Sequence, residues 1–309
     1  MKNIVFDTNA YRNFVKNKDI ESVRRDIARL KELELENGFK PSQNIIVLTE
    51  LIRHLADIND YDFSECKHAL AASALHNRII VNSQYVYSFC PTIELLLYKE
   101  LTGEKEEISE CLNLSISHFA HQLEQNFSNE FIVAEGKAIR TNFQNTTNNR
   151  LEFYSALQKV LLAIDPTAND WRLFKADKVN RRRFLAYLKS KKFDISISQS
   201  FLLRISLLFP EKNIKITDEK IDSFRMKHPA VIEMNRQFLI SIVNGLDLKE
   251  IEHERWNSFN DIMIIMSSKL DSENWILISD DKQIKAAYHK CCLEENIKSL
   301  SEYLEILKF

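Results

Sequence analysis

Two kinds of hydrophobic pattern follow one another at the start of the chain. Asn3–Phe6 is a short, mainly apolar run that ends at Asp7, and it predicts a buried strand. Residues 20–37 then carry apolar side chains at helical spacing, which predicts an amphipathic helix. Gly38 and Pro41 indicate that this helix ends there.

A second strand-to-helix pattern follows. The apolar run Ile45–Leu48 is a strand candidate, and it leads at once into a helix-like segment from Thr49 to Leu55. A strand that feeds a helix, repeated along a chain, is typical of an α/β domain.

The same kind of pattern returns at the C-terminal end. The predicted elements are a helix at Ser258–Leu270, a strand at Trp275–Ile278, a helix through His289, a short strand at Ile297–Leu300 and a closing helix at Ser301–Leu307. Strands connected through helices in this order require parallel pairing and crossover connections. Both ends of the chain therefore predict parts of one parallel-sheet domain.

The middle of the chain has a different pattern. It is mostly helix-like, and its best β candidates are Arg78–Val81 and Tyr85–Phe89. We therefore predict an α/β fold in which residues 1–57 and 255–309 form one domain and residues 58–254 form a mostly α-helical insertion.

Composition narrows the class of protein. With only 4 Gly and 5 Pro in 309 residues, long helices are favoured over a turn-rich β fold. The 5 cysteines show no C-x-x-C spacing, which argues against a zinc finger or disulfide framework and suits a reducing cytoplasm. No apolar stretch approaches the ~18 residues of a membrane span, so a cytoplasmic protein without membrane association is expected. A formal net charge of -2 means that nucleic acid would have to contact a local patch.

Four acidic residues stand where the predicted strands and helices meet: Asp7, Glu50, Asp261 and Asp281. Taken singly, each has a plain structural interpretation as a helix cap or as a carboxylate favoured by a helix dipole. Asp280 next to Asp281 is harder to explain by capping, because like charges repel.

The order of these acids changes the interpretation. The carboxyl ends of parallel strands share one sheet edge, so Asp7 and Asp281 are expected to meet there. Carboxylates gathered in one place repel unless a cation holds them. Oxygen ligands of this kind suit Mg²⁺ or Mn²⁺, which can activate water for attack on a phosphate.

With these residues the chain resembles the PIN-domain nucleases. The resemblance is carried by Ile4–Asn9, Ile45–Leu51, Asn260–Ile265, Trp275–Asp281 and the closing Ile297–Ile306. It covers roughly the first 57 and the last 55 residues, and each motif is weak alone while their order is specific.

The resemblance implies a PIN-like α/β/α sandwich and metal-dependent endonuclease activity, usually on RNA. It makes Asp7, Glu50, Asp261 and Asp281 the catalytic and metal-binding acids, with Asn9 orienting a ligand and Asp280 in a supporting position. A structure-specific DNA nuclease, acting on single strands or flaps, is the related alternative. A degenerate scaffold protein of the same fold is the alternative from another class.

Two departures from the family pattern leave questions open. The insertion is unusually large, and it is expected to shape substrate choice, bind a protein partner or inhibitor, or block the site. Glu94 also follows a strand-and-turn pattern and competes with Glu50 as the second acid. A toxin or defence effector fits by analogy alone, and a homo-oligomer stays open.

A basic segment interrupts the insertion. Trp171–Lys192 contains nine Lys or Arg and one Asp, with aromatic residues between them. One interpretation is an RNA-binding patch with Arg181, Arg182 and Arg183 holding substrate; the other is an amphipathic helix whose aromatics face the core.

Overall fold

The computed structural model describes residues 1–81, 84–103, 119, 122, 128–142, 177–245, 257–268 and 274–309. The chain divides into two compact units. The first unit comprises Met1–Leu96, Lys105–Phe143 and Met263–Phe309, and the second comprises Leu97–Glu104 and Gln144–Ile262.

A parallel sheet forms the centre of the first unit, which confirms the predicted α/β class. The strands are β1 (Lys2–Phe6), β2 (Phe39–Pro41), β3 (Arg78–Val81), β4 (Gln84–Tyr87), β5 (Trp275–Ile278) and β6 (Ile297–Lys298). Four of them pair in the order β2-β1-β5-β6, and every pairing is parallel. The other two, β3 and β4, form a separate antiparallel hairpin.

Helices account for most of the remaining described residues. They are α1 (Thr8–Val15), α2 (Ile20–Glu36), α3 (Ile45–Arg53), α4 (Phe63–Asn77), α5 (Ile93–Thr102), α6 (Asn129–Asn142), α7 (Lys178–Leu188), α8 (Lys191–Leu208), α9 (Asp218–Lys227), α10 (Pro229–Gly245), α11 (Asn257–Ser268), α12 (Lys282–Lys290) and α13 (Leu300–Leu307). None of the helices in these described ranges is both long and apolar enough to cross a bilayer.

The two central strands are apolar because both faces of the sheet are covered. Ile4 and Val5 of β1 and Leu277 and Ile278 of β5 are fully buried. A near-continuous apolar sequence is what a doubly covered parallel strand requires. The predicted strands at both chain ends are confirmed, as are the helices that follow β5 and β6.

Helix α4 begins after residue 57, the expected end of the N-terminal part of the domain, yet it packs within the first unit. It packs against α1, α2 and α3. Its buried positions include small residues such as Ala69, Ala72 and Ala74, which allow close helix packing. The first unit therefore continues past residue 57, where the sequence suggested that the insertion begins.

The predicted strand at Ile45–Leu48 is wrong, because these residues form the first turns of α3. The side chain of Asn44 accepts a hydrogen bond from the Ile46 N–H at 2.9 Å and so caps the helix. The buried positions Ile45, Leu48 and Ile52 have helical spacing. A four-residue apolar run cannot distinguish a buried strand from a buried helix, and β2 lies earlier, after Gly38 at φ 72°.

A glycine permits one close contact between helices of the first unit. A Cβ on Gly136 of α6 would lie 2.9 Å from the backbone carbon and oxygen of Leu55. Only glycine fits here without displacing the backbone.

The second unit has its own apolar core. Phe184, Phe193, Leu202, Ile205 and Phe224 are buried in it. Arg236 on α10 donates a hydrogen bond to the Leu188 carbonyl at 2.7 Å and pairs with Asp194.

Candidate active site

Asp7 lies at the end of β1, where it faces the end of the neighbouring strand β5. Its backbone N–H bonds to the Ile278 carbonyl at 3.0 Å, which continues the strand pairing. One carboxylate oxygen accepts the Ala10 N–H at 2.6 Å and caps α1. The other accepts a hydrogen bond from the Ser279 hydroxyl. The capping interpretation and the placement at the sheet edge are therefore both correct.

The Asp7 carboxyl is buried without a cationic partner. It is 3% exposed, and none of the ion pairs among the described residues includes it. Burial raises its pKa to about 7, although hydrogen bonds from Ser279 and Ala10 act in the opposite direction. The negative charges of Asp280 and Asp281 add to the rise. Buried carboxylates normally have a basic partner or a metal, and this one faces further acids instead.

Asp280 and Asp281 follow β5 with different hydrogen bonds. One oxygen of Asp281 accepts the N–H groups of Gln283 and Ile284, at 2.7 and 2.9 Å, and caps α12. Asp280 accepts from the Asn13 amide at 2.9 Å and from the Leu300 N–H at 3.3 Å. Asp280 thus holds α1 and α13 in place, which agrees with a supporting position.

Glu50 reaches the same edge through Thr8. The Thr8 hydroxyl donates a hydrogen bond to a carboxylate oxygen of Glu50, which is half-buried on α3. Because Thr8 adjoins Asp7, this contact links the second predicted acid to the end of β1. Glu94 is half-buried in the first turn of α5. The contact with Thr8 brings Glu50 close to Asp7, and the choice between Glu50 and Glu94 as the second acid stays a prediction.

Two further predicted site residues are described by their helices. Asp261 is half-buried on α11, in the part of that helix that belongs to the second unit, and its role stays a prediction. Asn9 is exposed on the first turn of α1. The edge formed by Asp7, Glu50 and Asp281 does not place three ligand atoms within 4.8 Å of one another among the described residues.

Three other side chains, those of His54, Asp60 and Asp62, do lie this close together. One ligand atom from each of His54, Asp60 and Asp62 lies within 4.8 Å of the others. These groups already bind one another and a cation: His54 Nδ1 lies 3.0 Å from Asp60, and the Arg12 guanidinium lies 2.7 Å from Asp62. Burial raises the pKa of Asp60, but hydrogen bonds from the Asp62 N–H and His54 outweigh it and lower that pKa. Arg12 already supplies the positive charge that a metal would bring.

The described part of the basic segment begins at residue 177. Arg182 and Arg183 are exposed on α7, whereas Arg181 is half-buried. Phe184 is 1% exposed and its ring lies 6.2 Å from that of Tyr187. Of the two interpretations of this segment, aromatics that face the core is therefore the one that holds for Phe184, and substrate binding by the three arginines stays a prediction. Trp171 and Phe174 lie outside the described residues.

Two residues of this edge, Ser279 and Thr8, were not predicted as site residues from the sequence. Ser279 connects the two strand ends, since its hydroxyl donates to Asp7 and accepts the Asp281 N–H at 3.1 Å. Thr8 positions Glu50. Both stand beside predicted acids in the sequence, but spacing along a chain carries no record of side-chain pairing.

Comparisons with protein-family models, with curated proteins and with solved structures found no match to this chain.

Proposed function

We propose that this protein is a metal-dependent endoribonuclease with a PIN-like fold. The observation that carries the proposal is the buried Asp7 carboxyl, which lies at the end of β1 beside Ser279, Asp280 and Asp281 and forms no ion pair with any residue that the structure describes. In open parallel sheets, ligands bind at the carboxyl ends of the strands. The edge that contains Asp7 is that position in this sheet.

The donor set fits a hard divalent cation. Asp7, Asp281 and Glu50 offer carboxylate oxygens, which Mg²⁺ and Mn²⁺ prefer. Asp7 and Asp281 would hold the cation, with Glu50 completing the site. The capping bonds leave room for this, because the second oxygen of Asp281 takes no part in its cap.

Each residue has a task in phosphodiester hydrolysis. A bound cation supplies charge neutralisation at the phosphate and lowers the pKa of a coordinated water. Ser279 holds the Asp7 carboxylate at the strand end by its hydrogen bond. Glu50, which accepts a hydrogen bond from Thr8, would accept a hydrogen bond from the attacking water and so orient it.

A cleavage assay tests the proposal. Labelled single-stranded RNA is incubated with the protein in Mn²⁺ or in EDTA, and single-stranded DNA of the same sequence runs in parallel. We expect cleavage of RNA in Mn²⁺, none in EDTA, and a loss of at least about a hundredfold in Asp7→Asn, which keeps the shape but removes the charge. Equal cleavage by parent and Asp7→Asn would remove the proposal, and cleavage of DNA alone would favour the DNA nuclease.

Matched variants assign the remaining acids. Glu50→Gln, Glu94→Gln and Asp261→Asn each replace a carboxylate by an isosteric amide. We expect Glu50→Gln to lose cleavage while Glu94→Gln retains it. The family resemblance alone makes Asp261 a further acid, so loss of cleavage in Asp261→Asn would support that assignment and full cleavage would remove it. The reverse result for the two glutamates would make Glu94 the second acid.

A further inference from the structure

The second unit carries a concentration of positive charge that the proposed active site does not use. Residues 177–245 contain 14 Lys or Arg and 7 Asp or Glu, a net charge of +7 in a chain whose net charge is -2. Six of these cations are exposed along α7 and at the start of α8, and we call them the basic corner. They are Lys178, Arg182, Arg183, Lys189, Lys191 and Lys192.

The acids that the structure describes beside the basic corner are already engaged. Within the described part of the chain, none of the six cations takes part in an ion pair. The two acids that flank the corner are engaged: Asp177 caps α7 by accepting the N–H groups of Val179 and Asn180, and Asp194 pairs with Arg236. The positive end of the α8 dipole adds to the potential at Lys191 and Lys192.

The cations occupy the outer face of α7 because the inner face is apolar. Phe184 and Leu188 are 1% and 0% exposed. Lys178, Arg182 and Lys189 lie along one stripe of the helix, at spacings of four and seven residues. A straight row of unpaired cations is complementary to a row of regularly spaced anions.

We propose that the basic corner of the second unit binds the phosphate backbone of RNA as an anchoring surface. Binding of a nucleic-acid backbone follows from the corner itself, whereas RNA as the strand rests on the proposed function. An anionic membrane is the weaker partner, because a helix that lies on a bilayer exposes large apolar side chains between its basic ones. On α7, Phe184 and Leu188 are buried instead, and Val179, at 58% exposed, is a single exposed apolar side chain.

A binding experiment on the full chain tests this proposal without any cleavage. Fluorescence anisotropy follows a labelled single-stranded RNA titrated with protein in EDTA at several salt concentrations, and a gel verifies that the RNA stays intact. Lys191→Ala/Lys192→Ala is compared with Lys215→Ala/Lys227→Ala, which removes the same charge from exposed sites of the same unit. Arg182→Ala/Arg183→Ala is a second test pair. All four residues of the two test pairs lie in helices, which alanine preserves.

We expect each corner pair to weaken binding roughly tenfold or more at 0.1 M salt and to lower the log–log salt slope by about 1.4, since each lost phosphate contact contributes about 0.7. The control pair should leave the slope near that of the parent. Equal effects of corner and control pairs would overturn the proposal. Binding to phosphatidylserine vesicles without binding to RNA would overturn it as well. The binding assay does not depend on cleavage. If the chain binds RNA through the basic corner but fails the separate cleavage assay, only the proposed function is refuted.

Discussion

The burial of Asp7 predicts an unusual gain in stability when its charge is removed. A carboxyl whose pKa is raised in the folded state stabilises the fold fully below its unfolded pKa, and this stability is lost as pH rises through the folded pKa. For Asp7 the two values are 3.8 and about 7. In the metal-free protein the loss should therefore extend from about pH 4 to pH 7.

The magnitude follows from the size of that shift. At 1.36 kcal/mol per pKa unit, burying the ionised Asp7 costs about 4 kcal/mol at pH 9. At pH 5 the folded Asp7 is protonated, and taking up that proton on folding costs about 1.6 kcal/mol. Asp7→Asn escapes this cost but weakens a hydrogen bond with Ser279, worth about 1 kcal/mol. We expect Asp7→Asn to stabilise the protein by about 1–3 kcal/mol at pH 9, and its advantage over the parent to shrink by about 2–3 kcal/mol at pH 5.

Urea unfolding in EDTA at both pH values measures this difference. Asp19→Asn is the matched control, because Asp19 is also an aspartate that caps a helix, α2, by accepting an N–H group. Hydrogen bonds from Ser22 lower the pKa of Asp19, so removing its charge should not stabilise the protein at pH 9. If Asp7→Asn changes the free energy of unfolding equally at pH 5 and pH 9, the account of Asp7 as a buried charge without a partner is refuted.

Three further predictions test other parts of the structure. Mn²⁺ should raise the melting temperature of the parent but not of Asp7→Asn, by an amount equivalent to about 2.7 kcal/mol at a hundred times the Kd. The affinity for Mn²⁺ should fall as pH drops, because protons compete for the carboxylates, and an unchanged melting temperature in Mn²⁺ would count against the metal site. Gly136→Ala should destabilise the protein by about 1–2 kcal/mol in urea unfolding, because the added Cβ would lie 2.9 Å from the Leu55 backbone, and a gain in stability would contradict this close approach. Tyr303→Phe should lower the free energy of unfolding by about 1–3 kcal/mol in the same measurement, because the buried Glu34 loses the hydroxyl that donates to it at 2.8 Å. An unchanged urea midpoint would show that this hydrogen bond contributes nothing to stability.

The sheet could be predicted from the sequence because its central strands are buried on both faces. The apolar runs Ile4–Phe6 and Trp275–Ile278 leave little choice but a buried strand followed by a turn. The edge strand Phe39–Pro41 gave no such signal, since it is short and includes an exposed lysine, Lys40. The apolar run Ile45–Leu48 predicts a strand equally well, and only the packing of α3 in the fold shows that it is helical.

The candidate site could be predicted only in its main residues. Asp7 and Asp281 follow from the rule that parallel strands end at a common edge. The contact between Thr8 and Glu50 depends on how α3 packs beside β1, which no local pattern records. Phe184 shows the same limit, because its place among arginines fits a stacking residue and a core residue equally well, and only packing decides.

Locating bound Mn²⁺ tests the central claim most directly. Crystals of the full chain grown with Mn²⁺, with data collected at an energy where manganese scatters anomalously, would show where the ion lies. We predict a peak between Asp7 and Asp281, with oxygens of both at about 2.1 Å, a coordination distance typical of Mg²⁺-type sites, and no such peak in Asp7→Asn. A peak at His54, Asp60 and Asp62 with none at Asp7 would contradict the account.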